Sequence, residues 1–395
     1  GYTWGVSGSN YKYPIVIDNS GNVLIDSGKF NDIEVRRING EPVATTRPGI
    51  YAAGATQEWW ISPVHVALNE PYWRVISALY GENGEIIVAE SMPGEATRTL
   101  VVGSTPFVDD HNAPAIYATP GRRMLVTWTH HGATQSIFAR VSGREGSIHS
   151  FLDRDVVEVV MPHDTSYTQI HRIEHLCTDA EDVYWVLSRV SQFAWGIKPL
   201  VVDHETGEID QSGDYVQLYS ASGQMYVSSA DAHSSGDQVI RMAVGYNPSS
   251  SFSETYYVEL NVVTGALTDV EGNPLGALDG TNLPIALSSM TPVLPAVSAG
   301  DSRRLFYVRP GPMPPAIAHA AWETASPNDA TYLTTEWDGS DWITTARGPV
   351  GPRFGYNETS NYIPGMAFPD PCLDDVVLIT RQVDGVDEFV VQTRD

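Results

Sequence analysis

Only two cysteines, Cys177 and Cys372, occur among 395 residues. One disulfide is compatible with that number and a disulfide scaffold is not, so cysteine usage leaves the redox compartment open. Cations are the second scarcity. Lys and Arg total 23 against 48 Asp and Glu, a formal charge of −25 at pH 7. With no basic run to offset it, such a field repels nucleic acid and anionic membrane surfaces, and neither is an expected partner. It also repels an anionic polysaccharide at long range, so a site for such a polymer has to concentrate its few Arg and His residues locally. No apolar run approaches the roughly 18 residues of a membrane helix. Amphipathic helical runs are scarce as well. The chain also has no Gly-x-Ser-x-Gly elbow, Walker loop, His-Glu-x-x-His or dinucleotide fingerprint. The start at Gly1, without Met, agrees with a secreted, extracellular or periplasmic protein whose leader has been removed, and equally with an artificial start.

What the chain does have is apolar content of 42%, of which aromatics supply 10% of all residues, ample for a packed interior. The recurring unit is a short apolar or alternating run, a turn, and another such run. Gly81 to Glu85 precedes Ile86-Ile87-Val88, Thr119 to Arg123 precedes Met124 to Trp128, and Thr264-Gly265 separates Val262-Val263 from Ala266-Leu267-Thr268. Trp337 to Trp342 turns between Tyr332-Leu333-Thr334 and Ile343-Thr344, and Asp384-Gly385 turns between Val376 to Thr380 and Phe389 to Val391. Asn-Gly, Asp-Gly and Thr-Gly supply the positive φ of tight hairpins, and β-branched and aromatic residues fill the flanks. Hairpins spread over the whole length predict an all-β sandwich, β-helix or propeller. At about 40–50 residues per blade the length fits seven or eight blades. No Pro/Gly/Ser linker divides the chain, so residues 1–395 read as one domain and a monomer is expected; the small-residue segment 286–302 reads as a loop between blades.

The most distinctive segment is Asp109-Asp110-His111-Asn112-Ala113-Pro114-Ala115. A turn and a strand follow, then Thr129-His130-His131-Gly132. Two strands joined by a tight turn would bring His111 and His131 to one rim. Spacing alone equally describes two structural histidines that cap loops. Further on come Ser166-Tyr167-Thr168-Gln169, a strand from Val183 ending in Arg189, then Phe193 and Trp195, and later Met225-Tyr226-Val227. Taken singly, Arg189 reads as a rim salt-bridge partner and Tyr167 as core. His175 and Cys177, with His171 and His204, are candidate metal ligands, but their spacing is looser than zinc sites show, and a buried thiol beside surface histidines is the plainer reading.

Taken in order, these segments resemble the ulvan lyase-like proteins, polysaccharide lyases with BNR-type repeats. The resemblance is carried by Asp-Asp-His-Asn-x-Pro-Ala and the following His, by Glu58 to Pro63, by Ser166 to Gln169, by the Arg189 strand with Trp195 after it, by Met225 to Val227, by Glu254 to Tyr257 and by Tyr332 to Trp342. It runs from about residue 55 to the C-terminus. It departs at Thr168, where the family has Pro, and at Gly245-Tyr246-Asn247-Pro248, where a His is missing, so a metal site built by relatives is altered here.

The resemblance implies a seven-bladed β-propeller of four-stranded antiparallel blades. It also implies β-elimination of a uronate-containing, ulvan-type polysaccharide, with an anionic glycan as partner. His111, His131, Tyr167 and Arg189 are then the expected catalytic residues, and Asn112, His130, Tyr226 and Trp195 the expected substrate contacts. His130 is the weakest of these, because adjacent strand residues point to opposite faces. The chemistry requires no cofactor, and a structural calcium or zinc is compatible with it. Two other readings stand beside this one: a non-catalytic glycan-binding propeller such as an adhesin or phage tail component, and a sialidase-like hydrolase. The absence of Ser-x-Asp-x-Gly-x-x-Trp repeats speaks against the last.

Overall fold

The computed structural model describes residues 74–349, with short gaps at 82, 93–96, 107–109, 120, 132–133, 144–146, 192, 235–236, 247–253, 297–300 and 324–329. Outside that span it describes the strands Ile15–Ile17, Val23–Ile25, Val35–Arg37, Pro42–Ala44, His65–Leu68, Met366–Ala367, Val376–Val383 and Val386–Thr393. Glu58 to Pro63, Cys372, Asn247 and Pro248 lie outside the described residues.

Strands follow one another along the chain and pair antiparallel with their sequence neighbours. The first sheet runs from His65–Leu68 to Arg98–Ser104 and the second from Ala115–Tyr117 to Val157–Val160. The third contains Thr165–Arg172, Glu181–Val190, Ala194–Asp203 and Val216–Ser220. The fourth runs from Met225–Ser234 to Pro274–Ala277, and the fifth from Asp301–Val308 to Trp342–Pro349. In a sixth sheet the C-terminal strand Val386–Thr393 pairs in parallel with Val35–Arg37, so both ends of the chain share one sheet. Ile15–Ile17 and Val23–Ile25 form a separate two-stranded ribbon.

The predicted hairpins form where their turn chemistry lies. Ala266–Thr268 starts directly after Gly265, whose φ of +71° is the left-handed conformation glycine adopts at no steric cost. Of the predicted loop 286–302, residues 287–296 lie between the fourth and fifth sheets, Ile285–Ala286 turns back to pair in parallel with Val216–Ser220, and residues 301–302 open the first strand of the fifth sheet.

The first strands of the six sheets touch in succession: His65–Leu68 with Ala115–Tyr117, then Thr165–Arg172, Met225–Ser234, Asp301–Val308 and Met366–Ala367. Serial sheets with adjoining first strands make the architecture propeller-like. The expected count of seven four-stranded blades meets six sheets of four to six strands plus the ribbon among the described residues.

Strands near these junctions are buried on both faces. Every residue of Leu125–Trp128 is buried, and so is nearly every residue of Thr165–Arg172. The outermost strand Arg98–Ser104 is largely exposed. Sheets therefore pack face to face, and their side chains interdigitate. Gly103 shows how closely: a Cβ there would stand 2.4 Å from the Trp128 ring of the next sheet.

Such seams bury backbone polar groups, which need partners. Side chains reach across to supply them. The Trp128 indole N–H donates to the Ser104 carbonyl, and Arg140 donates to the Val102 carbonyl. Arg123 donates to the carbonyls of His204 and Glu205, and Arg241 to those of Gly311 and Met313. Between the third and fourth sheets, Gln169 donates to the Val227 carbonyl at 2.6 Å and accepts from the Ser229 amide at 2.9 Å. The Ser229 hydroxyl also meets Gln169 and lies 2.7 Å from His171 Nε2, while His171 Nδ1 lies 3.1 Å from Asp231. Ser229, His171 and Gln169 are all buried, so this serine–histidine–aspartate chain is a strut and has no access to substrate.

Ser229→Ala is expected to lower unfolding free energy by about 1–3 kcal/mol, because it strands buried groups on both His171 and Gln169. Urea denaturation checks this, and an unchanged midpoint contradicts it.

Candidate functional site

Tyr167 is the centre of the cluster, and its backbone explains how. The pairing of its strand passes from Ser166↔Arg189 to Gln169↔Leu187, so Tyr167 and Thr168 together oppose Ser188. This is a β-bulge, a device that re-aims a side chain. Tyr167 takes φ +64°, a left-handed conformation costly for a bulky residue. The Ser188 hydroxyl holds the bulge by donating to the Tyr167 carbonyl at 2.8 Å, and Thr168 donates to the Thr127 carbonyl of the second sheet.

The second sheet delivers two histidines to this point. His111 sits in the short 3-10 turn Asp110–Asn112, and Thr129 donates to its carbonyl at 2.7 Å. His131 follows the strand Leu125–Trp128 with φ +45°. Their rings stack at 3.6 Å with an interplanar angle of 6°, and His111 in turn stacks on Tyr167 at 4.7 Å. The pair expected at one rim is thus face to face. Its members differ in access: His131 is exposed, and His111 is half-buried.

Arg189 comes from the strand Glu181–Val190, directly opposite Ser166 on one side and Trp195 on the other. Its guanidinium carbon lies 4.6 Å from the Tyr167 ring centroid and 5.5 Å from that of Tyr226. Tyr226 opens the fourth sheet opposite Gly245, which presents no side chain there. Arg189 is not a rim salt-bridge partner: it is 5% exposed, no carboxylate pairs with it among the described residues, and its Nη1 is buried without a hydrogen-bond acceptor. The aromatic faces compensate its charge in part. It is thus a buried cation with no counter-ion among the described residues, in a chain of formal charge −25.

Three of the expected substrate contacts, Trp195, Asn112 and Tyr226, are buried. Trp195 is fully buried, stacks 6.2 Å behind Tyr167 and donates its indole N–H to the Met225 carbonyl. His130 turns elsewhere: its ring stacks on Phe138 at 4.0 Å and its Nε2 lies 3.2 Å from the Ser104 carbonyl, and burial holds its imidazole below the ordinary histidine range. Tyr167 itself is 0% exposed, and its hydroxyl is buried.

The candidate metal ligands do not converge. His171 belongs to the strut, His204 Nε2 lies 2.8 Å from Asp182, and His175 is exposed. Cys177 is a free thiol whose pKa is pushed up by burial. Among the described residues no three His, Cys, Asp or Glu side chains are arranged to hold a metal ion.

Sequence reasoning missed the bulge and the strain. Four non-glycine residues have positive φ among the described residues, and three of them, His131, Tyr167 and Ser191, belong to this end of the second and third sheets. No residue type at these positions announces the conformation.

The chain is an all-β protein of propeller-like construction with a cationic–aromatic cluster at one end of its inner strands. No protein-family model matches it, and no curated protein does. Among solved structures it is similar to an ulvan lyase, described as a polysaccharide lyase bound to -[GlcA(1-4)Rha3S]-, at 12% identity over 84% of this chain and 82% of that one, with a TM-score of 0.55. The likeness is one of fold. A six-bladed β-propeller lectin from Aleuria aurantia overlaps more loosely, at 12% identity over 74% of this chain and 80% of that one, with a TM-score of 0.38.

Because Arg189 is a buried charge without an ionic partner among the described residues, Arg189→Met is expected to leave unfolding stability unchanged or to raise it, by up to about 2 kcal/mol. Thermal and urea unfolding check this; a loss of several kcal/mol would mark the arginine as a structural ion.

Proposed function

We propose that this protein is a polysaccharide lyase that cleaves a uronate-containing polysaccharide of ulvan type by β-elimination. The observation that carries the reading is the buried guanidinium of Arg189, unpaired with any described carboxylate and set against the same tyrosine on which His111 stacks. The similarity in fold to an ulvan lyase agrees with it. A seven-bladed count belongs to the same proposal, with the N-terminal ribbon as part of the seventh blade, and so does secretion.

In this reaction the C5–H bond of the uronate and the C4–O bond to the next sugar break, and a C4=C5 double bond forms. The C5 proton is weakly acidic while the adjacent carboxylate is an un-neutralised anion. Arg189 neutralises that carboxylate and the charge that builds on it, its planar fork matching two oxygens. His111 takes the proton, since an imidazole needs no large shift to act as a base near neutral pH.

Tyr167 supplies the proton to the leaving oxygen and recovers one from His111, against which it stacks. His131 orients His111. Trp195 and Tyr226 keep this floor dry and rigid. No metal or cofactor enters these steps.

The test is a screen for the ultraviolet absorbance of unsaturated uronate on ulvan, glucuronan, alginate and glycosaminoglycans. His111→Ala and Arg189→Ala are expected to lower the rate about 10²–10⁴-fold with the fold intact. Full activity in either variant overturns the assignment of residues. Saturated product ends would make the protein a hydrolase, and retention on glycan without cleavage would make it a binding propeller.

A further inference from the structure

The turn that joins the Arg189 strand to the Trp195 strand has a feature the reaction above does not use. Ser191 there takes φ +80°, a backbone conformation that L residues rarely adopt. The turn is pinned on both sides. The Ser191 amide donates to the Asp164 carbonyl at 3.2 Å, just ahead of the strand that carries Tyr167. The Phe193 carbonyl accepts from the Ala221 amide at 3.1 Å, a few residues ahead of Tyr226. The tip is therefore held between the two segments that deliver the tyrosines of the cluster, and Trp195, two residues on, lies directly opposite Arg189.

On this anchored, strained tip stands Phe193, 47% exposed. A single exposed apolar residue on a loose loop needs no explanation. Here the backbone is strained and tied down on both sides, and strain of this kind persists where function requires a fixed presentation.

We propose that Phe193 is a stacking platform for the sugar ring that adjoins the uronate held by Arg189. A pyranose offers a face of C–H groups that packs against a phenyl ring, and a phenylalanine adds no charge to repel the acidic polymer. The platform selects for a neighbouring sugar with an apolar face, so Phe193 determines specificity and has no part in the proton transfers. This inference rests on the uronate-lyase reading.

Phe193→Ala and Phe193→Trp are assayed against wild type on glucuronan, ulvan and alginate. The readouts are kcat and KM by unsaturated-uronate absorbance, and polymer affinity by electrophoresis through gels cast with the same polymers. On the polymer that wild type cleaves, Phe193→Ala is expected to raise KM about 3- to 10-fold with kcat within about twofold and the melting temperature unchanged. Gel retardation should weaken in parallel, and Phe193→Trp should restore both. If wild type cleaves and Phe193→Ala matches it in KM and retardation, the platform is refuted and the lyase reading stands. If Phe193→Ala loses kcat but not affinity, the residue shapes the catalytic cluster and the platform is again refuted. If wild type is retarded but cleaves none of the polymers, the lyase reading falls while the weaker retardation of Phe193→Ala still supports stacking. If wild type is neither retarded nor active, both fall.

Discussion

Buried backbone groups at the seams between sheets must find partners, and the rest of the structure depends on how they do so. Gln169 is the clearest case. It spans the third and fourth sheets with both ends of its amide, and it does so two residues after Tyr167. The strut of Ser229, His171 and Asp231 continues the same seam. Such a seam is buried, so an unmade hydrogen bond there costs far more than a made one contributes at a surface. Trp128, Arg123, Arg140 and Arg241 solve the same problem at other seams with long donors aimed at carbonyls. Several of the scarce arginines therefore serve backbone carbonyls, and Arg241 pairs with Glu259 as well.

That use of arginine sets Arg189 apart. It is buried like Arg123 and Arg241, but among the described residues it finds neither a carboxylate nor an acceptor for Nη1, and it rests on the faces of Tyr167 and Tyr226. The strand register places it opposite Ser166 and Trp195, and Ser188 beside it holds the bulge that turns Tyr167 toward it. Rigid seams on both sides stabilise this strained arrangement. The left-handed backbones of Tyr167 and His131 and an uncompensated cation are local costs that a well-packed frame offsets.

Much of this was legible in the chain. Strands such as Ala266–Thr268 and Val376–Val383 lie where the turn chemistry put them, because glycine and short polar residues at hairpin tips act locally. The proximity of His111 and His131 followed from one hairpin, a short-range construction. The roles of neighbouring residues were less legible. His130, Trp195 and Asn112 carry the same residue types as a sugar-binding site, yet their rings and amide face protein. Burial of that kind depends on sheets distant in sequence and leaves no mark in the local pattern.

The sequence by itself determined that the chain is β-built, hairpin by hairpin, strongly acidic, and provided with histidines, tyrosines and an arginine in a suggestive order. Those properties depend on composition and on contacts a few residues apart. Only the tertiary structure decided that Arg189 is left without a carboxylate among the described residues, that Tyr167 is bulged and enclosed, that His131 is the most exposed ring of the stack, and that His171 is a strut. Each of these depends on which side chains three separate sheets bring to the same seam, and on the dry environment those sheets create there.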